Sequence, residues 1–354
     1  MKVLVLGGTG AMGVHLIQLL SSNDVDTVVT SRRDRESVGK TRYVKGDANN
    51  IDFLRTILEE NWDAIVDFMV YSTPGFKERV NLLLDATSQY VFLSSARVYA
   101  ESQQPIIETS SRLLDVSEDR EFLSTDEYSL TKARQEDILR DSGRKNWTIV
   151  RPYITYSESR LQLGVLEKEE WLYRALNGRT IVFSKDINSK ETTLTYGLDV
   201  STGINSLIGI SKSLGETFHI TTKDSHTWNY ILNIYLEVLE DHLGYKPKVL
   251  FQDLDRFLEF RPAKYQVIYD RFFNRKFDSS KIDHYVNTNS FTRIDEGLKK
   301  CLEEFLKNPK FNDINWKSEA LKDRQMGENT PLSEIKGILQ KMKYLTFRYS
   351  FFFK

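Results

Sequence analysis

Tyr128-Ser-Leu-Thr-Lys132 sets a phenol and an ammonium four residues apart, on one face of a helix. The ammonium can stabilise phenolate and can also hold a ribose, so Tyr128 is a candidate general acid or base acting as hydride moves. Ser95, closing the apolar run Tyr90-Val-Phe-Leu93, offers a hydroxyl to the same substrate oxygen. A Tyr-x-x-x-Lys spacing often arises by chance, but a second pattern precedes this one. Gly7-Gly8-Thr9-Gly10-Ala11-Met12-Gly13 follows the apolar run Lys2–Leu6 and opens a helical pattern marked by Leu16, Ile17, Leu19 and Leu20. In that context Gly7 permits a tight turn, Gly10 lets backbone approach a pyrophosphate, and Gly13 lets helix and strand pack closely. The helix N-terminus then supplies N–H groups and a favourable dipole to the phosphates.

About 20 residues further on, a chain preferring NAD places an acid against the ribose hydroxyls. Here Ser31-Arg32-Arg33 stands instead, and guanidinium pairs well with a 2′-phosphate. The expected cofactor is therefore NAD(P), with NADP favoured over NAD. Asp47, after a third apolar segment, is placed to accept from the adenine amino group.

These residues need a scaffold. Strand patterns at 2–6, 27–30, 43–45, 64–70, 90–93 and 148–150 alternate with helical ones at 53–60, 76–87 and around Tyr128 and Lys132. That alternation predicts an α/β fold: a Rossmann-type doubly wound parallel sheet with a smaller C-terminal α/β substrate lobe. The expected division is 1–155 for the dinucleotide domain, 156–330 for a lobe interleaved with it, and 331–354 for a basic, aromatic tail. The lobe is expected to hold strand-like pieces at 180–183, 193–195 and 217–220. The tail carries Lys336, Lys341, Lys343, Arg348 and Lys354 with Tyr344, Phe347, Tyr349 and Phe351-Phe-Phe353. It suits a helix packed on its own domain, or a segment that lies on a membrane surface or docks on a partner.

With 354 residues, 40% of them hydrophobic, the chain can bury a full core. Its net charge of −1 argues against a general nucleic-acid binder. The single cysteine, Cys301, excludes an internal disulfide, and its charged neighbours suggest a surface helix in a cytoplasmic protein. The N-terminal apolar run is too short for a signal peptide, and the sequence holds no run of about 18 apolar residues. No metal is expected.

Together the glycine turn, Asp47, Ser94-Ser95-Ala96-Arg97-Val98-Tyr99, Tyr128/Lys132, Arg151-Pro152, Tyr196-Gly-Leu-Asp199 and Thr217-Phe-His-Ile220 resemble an extended short-chain dehydrogenase/reductase. The similarity is to the NAD-dependent epimerase/dehydratase family over about residues 1–310. It implies a homodimer and a nucleotide-sugar substrate, handled by an epimerase or ketoreductase. Under it, Thr9, Ala11, Met12, Ser31, Ala48, Phe68, Met69, Tyr153 and Ile154 join the cofactor residues, and Tyr71, Ser72, Arg97 and Lys190 the substrate residues. Ala96-Arg97 stands where the family's 4,6-dehydratases carry an acidic pair, so dehydration is not expected. Phe76 and Ile154 stand where two asparagines are common, and Lys190 is the stand-in for an absent phosphate-binding arginine. The alternative is a catalytically degenerate relative that binds RNA or serves as a scaffold.

Overall fold

A computed structural model describes residues 1–349. Seven parallel strands form the central sheet, in the order Glu216–Ile220, β6 (Trp147–Pro152), β5 (Tyr90–Leu93), β4 (Ala64–Asp67), β1 (Lys2–Leu6), β2 (Asp26–Ser31), β3 (Thr41–Lys45). The order reverses between β1 and β4, which opens a crevice beyond the C-terminal strand ends. This is the expected doubly wound sheet.

Both faces are apolar because helices cover both. Val3, Val5, Val29, Val66 and Val91 face a cluster that includes Leu16, Leu20, Val200 and Ile204. Their neighbours Leu4, Leu6, Val28, Ile65 and Phe92 face Leu54, Val80, Leu83 and Leu139. Period-two alternation thus serves both sides with hydrophobic residues. The covering helices include α1 (Gly13–Ser22), α2 (Ile51–Ile57) and α3 (Thr73–Asp85). After two short helices, α4 (Leu113–Val116) and α5 (Arg120–Leu123), comes α6 (Tyr128–Arg140).

Three local expectations are corrected. The fourth strand ends at Asp67, not at residue 70, because the Asp67 carboxylate turns back to accept from its own chain at Met69 N, 2.9 Å away. Thr217–Ile220, expected in the second lobe, extends the central sheet beside β6, with Phe218 and Ile220 in the sheet's core. Cys301 is buried rather than on a surface, since Leu298, Cys301, Leu302 and Phe305 form the inward stripe of the helix Ile294–Lys307.

The chain divides into two compact units. The first comprises 1–157, 193–225 and 275–294, and the second 158–192, 226–274 and 295–354. In the second unit, the strand Val249–Gln252 pairs in parallel with Ile181–Ser184. A buried ionic cluster ties its last segments down: Arg174 donates to Glu319 at 2.7 Å, to Asp323 at 2.9 Å and to Glu328 at 2.7 Å. The segment 338–349 is a helix, while Phe351–Phe353 and Lys354 of the expected tail lie outside the described residues.

Candidate active site

The glycine turn leaves β1 through Gly7, whose φ of +71° suits a residue without Cβ. Each glycine has its own reason. A Cβ at Gly7 would meet the Met69 sulfur at 2.6 Å, and one at Gly13 would fall 2.6 Å from the Gly8 backbone. A Cβ at Gly10 meets nothing within 4 Å, so the turn is open there. Helix α1 begins without a side-chain cap or an acid in its first turn, leaving its dipole for an anion. These features fit a dinucleotide pyrophosphate.

Thr9, Ala11 and Met12 complete the turn. Its far side is braced by Ser201, whose hydroxyl donates to the Met12 carbonyl at 2.7 Å, and by Gly197, where a Cβ would collide with the Ala11 carbonyl at 2.2 Å. Gly197 belongs to the Tyr196-Gly-Leu-Asp199 segment already noted in the sequence, whereas nothing there marked Ser201. Ser31 ends β2 and accepts from Arg33 N at 3.3 Å; the Arg32 and Arg33 side chains are exposed. Asp47 is exposed and accepts from Asn49 N at 3.0 Å, whereas Ala48 is packed in the core with Leu54 and Ile57.

Beyond β5 the chain turns sharply. Ser95 caps a single 3-10 turn, Ala96–Val98, by accepting from Arg97 N at 3.2 Å, and this turn packs against α6. Tyr128 is the first residue of α6, and Lys132 lies one turn along the same stripe. The Lys132 ammonium donates to the Leu93 carbonyl at 2.7 Å and lies 5.9 Å from the Tyr128 ring centroid. The geometry thus brings Lys132 to the end of β5, two residues before Ser95. Burial pulls the Lys132 pKa down to about 8, with partial relief from the carboxylates of Asp67 and Glu136.

Arg97 ion-pairs with Glu127, and its guanidinium lies 5.3 Å from the Tyr128 ring centroid. Glu127 also caps α6 through Ser129 N at 2.6 Å, so the cap of the Tyr128 helix holds Arg97 over the phenol.

The stripe continues to Glu136, which the sequence reading passed over although it lies four residues after Lys132. Fully buried, it accepts from Arg151 Nε at 2.7 Å, Arg151 Nη2 at 2.6 Å and Ser94 Oγ at 2.6 Å. Burial alone would raise its pKa, but the charge and hydrogen bonds of Arg151, together with Arg140 and the Ser94 hydroxyl, hold it below the usual range. Asp67, also passed over, accepts from Tyr90 Oη at 2.7 Å; burial raises its pKa against that hydrogen bond. A lone acid in an apolar strand was its available signal.

Among the expected substrate residues, Tyr71 is buried. Its hydroxyl turns inward to Asp67 at 3.4 Å and its ring lies under Arg79, because a buried carboxylate draws in the donors it needs. Ser72 caps α3 through Gly75 N at 3.2 Å, and Lys190 lies in the second unit. Phe68 and Met69 are half-buried at the end of β4. Tyr153 packs on Phe277 with centroids 5.3 Å apart, and Ile154 is buried in a short strand paired with Leu194. Among the described residues, no group of three His, Cys, Asp or Glu side chains could hold a metal ion.

A Rossmann sheet with a serine after β5 and a Tyr/Lys stripe on the helix before β6 defines the short-chain dehydrogenase/reductase architecture. The chain belongs to the NAD dependent epimerase/dehydratase family, whose model matches residues 3–191.

Over 240 residues the chain is 25% identical to the chloroplast stem-loop binding protein of 41 kDa b of Arabidopsis thaliana, covering 62% of this chain and 58% of that protein. It is 28% identical over 162 residues to UDP-glucose 4-epimerase of Lactobacillus helveticus, covering 39% and 46%. The matches thus span about half the length of these curated relatives. Among solved structures, UDP-glucuronic acid 4-epimerase from Bacillus cereus, in complex with UDP-glucuronic acid and NAD, superimposes with a TM-score of 0.65. That match has 17% identity and covers 87% of this chain and 99% of the other. At that identity the likeness concerns the fold.

Proposed function

We infer that the protein is a nucleotide-sugar epimerase or ketoreductase that moves a hydride at a sugar carbon, using NAD(P) held by the Gly7–Gly13 turn. The observation that carries this is the Lys132 ammonium, buried at the end of β5, two residues before Ser95, and one helical turn from Tyr128 on α6. A bound nicotinamide supplies the hydride acceptor and donor. Tyr128 takes the proton of the reacting hydroxyl and returns it, Ser95 orients that oxygen, and Lys132 exchanges the Leu93 carbonyl for a ribose hydroxyl. Tyr153 and Ile154 line the nicotinamide side. Arg32 and Arg33, exposed just after β2, favour a 2′-phosphate. The solved relative carries NAD, so the preference for NADP rests on these two arginines alone.

Calorimetric titration with NAD(H) and NADP(H), followed by epimerase and keto-reduction assays on UDP-sugars, tests the proposal. Binding of either cofactor with turnover that disappears in Tyr128→Phe supports it. If neither cofactor binds, the proposal fails.

A second reading has its own support. The Arabidopsis relative, matched over more of this chain than the bacterial epimerase, bears a stem-loop binding name. In that reading the Rossmann unit presents an RNA-binding surface. A net charge of −1 weighs against it, because RNA affinity rests mainly on neutralising phosphates. Salt-sensitive binding of a stem-loop RNA, unchanged in Tyr128→Phe, would favour it.

A further inference from the structure

The helix Ile338–Tyr349 stands on the second unit with an apolar face turned outward. Tyr344 anchors it: its hydroxyl donates to Asp323 at 2.7 Å and accepts from Thr330 N at 2.9 Å. Arg348 Nε adds a hydrogen bond to the Glu328 carbonyl at 3.1 Å. Tyr344 and Phe347 pack inward with Trp316, Ala320 and Ile335. The opposite face carries Ile338, Met342, Leu345 and Tyr349, spaced at four, three and four residues, with Leu339 at its edge. All five are between 38% and 76% exposed. A folded chain rarely leaves such a contiguous apolar stripe in water without a partner.

The charge around the stripe selects the partner. Between Glu334 and the end of the described residues the chain has Lys336, Lys341, Lys343 and Arg348 and no acid. Lys341 and Lys343 flank the apolar face, one on either side. The acids beneath the helix are already engaged: Asp323 and Glu328 by Arg174, and Glu334 by Arg179 at 2.9 Å. An outward apolar stripe whose charged neighbours on the helix are all cations matches an anionic lipid surface, where the stripe enters the acyl boundary and the lysines meet the headgroups. We propose that the helix Ile338–Tyr349 docks the protein on anionic membranes. It lies in the interface plane and does not cross, because no helix among the described residues is long and apolar enough to span a bilayer.

The test is sedimentation of the full chain with phosphatidylcholine vesicles, with and without phosphatidylglycerol, at low and high salt. The expected result is binding only to vesicles containing phosphatidylglycerol, weakened by salt. Lys341→Gln and Lys343→Gln should each weaken partitioning by roughly fivefold. Met342→Ser/Leu345→Ser should abolish it, with an unchanged thermal transition because both side chains are exposed. Absence of binding to the anionic vesicles overturns the proposal, as does binding unaffected by the serine substitutions. It is also overturned if sedimentation shows a homodimer that the serine substitutions dissociate while lipid binding is absent.

Discussion

Glu136 and Arg151 form a fully buried, two-point ion pair, with Nε–Oε1 at 2.7 Å and Nη2–Oε2 at 2.6 Å. Through it α6 is fastened to β6, and through the Ser94 hydroxyl on the same carboxylate it is fastened to the end of β5. Tyr128, Lys132 and Ser95 therefore sit on elements clamped by one carboxylate.

Breaking that clamp from one side should be costly, because a buried guanidinium is left without its counter-charge. Glu136→Gln is expected to lose about 3 kcal/mol in denaturant unfolding. The double variant Glu136→Leu/Arg151→Met should recover much of that loss. A single variant as stable as the parent would show that the pair does not clamp α6.

Lys132 makes binding dependent on pH. Its folded pKa is lowered from 10.5 to about 8, so the unfolded chain holds this proton more tightly. Below pH 8 the burial penalty is fully present. Between pH 8 and 10.5 the folded state sheds the proton and the penalty is relieved, so this group adds stability as pH rises. Cofactor affinity should move the other way, weakening as pH passes 8 and the ribose loses its ammonium partner. Calorimetric titrations across that range should show the inflection in the parent and none in Lys132→Met.

Tyr128→Phe removes the proton-transfer group and leaves the helix stripe intact. Turnover should fall by about 100- to 10,000-fold while cofactor affinity and thermal stability stay near the parent's. Retained turnover in this variant would remove Tyr128 from the chemistry.

The glycines separate folding from binding. Gly13→Ala drives a Cβ into the Gly8 backbone, so α1 must shift, and both stability and cofactor binding should drop. Gly10→Ala meets no protein atom within 4 Å, so stability should hold and only cofactor binding should suffer. Equal binding by parent and Gly10→Ala would mean no ligand approaches the backbone there.

The sheet, the turn and the Tyr/Lys stripe are legible in the sequence, because each is a local pattern. Apolar runs without polar alternation mark strands covered on both faces, and a glycine string between strand and helix marks the turn. A spacing of four marks one helix face; Glu136 continues that face, but its role came to light only with its partner from β6. Tertiary structure alone decided the rest. It buried Cys301 through a stripe its charged neighbours masked, turned Tyr71 inward to Asp67, and carried Glu216–Ile220 to the sheet edge. It also braced the glycine turn with Gly197 and Ser201 and left one face of the helix Ile338–Tyr349 in water. Each of these depends on contacts between residues far apart in the chain, and local spacing carries no record of which distant element arrives to make them.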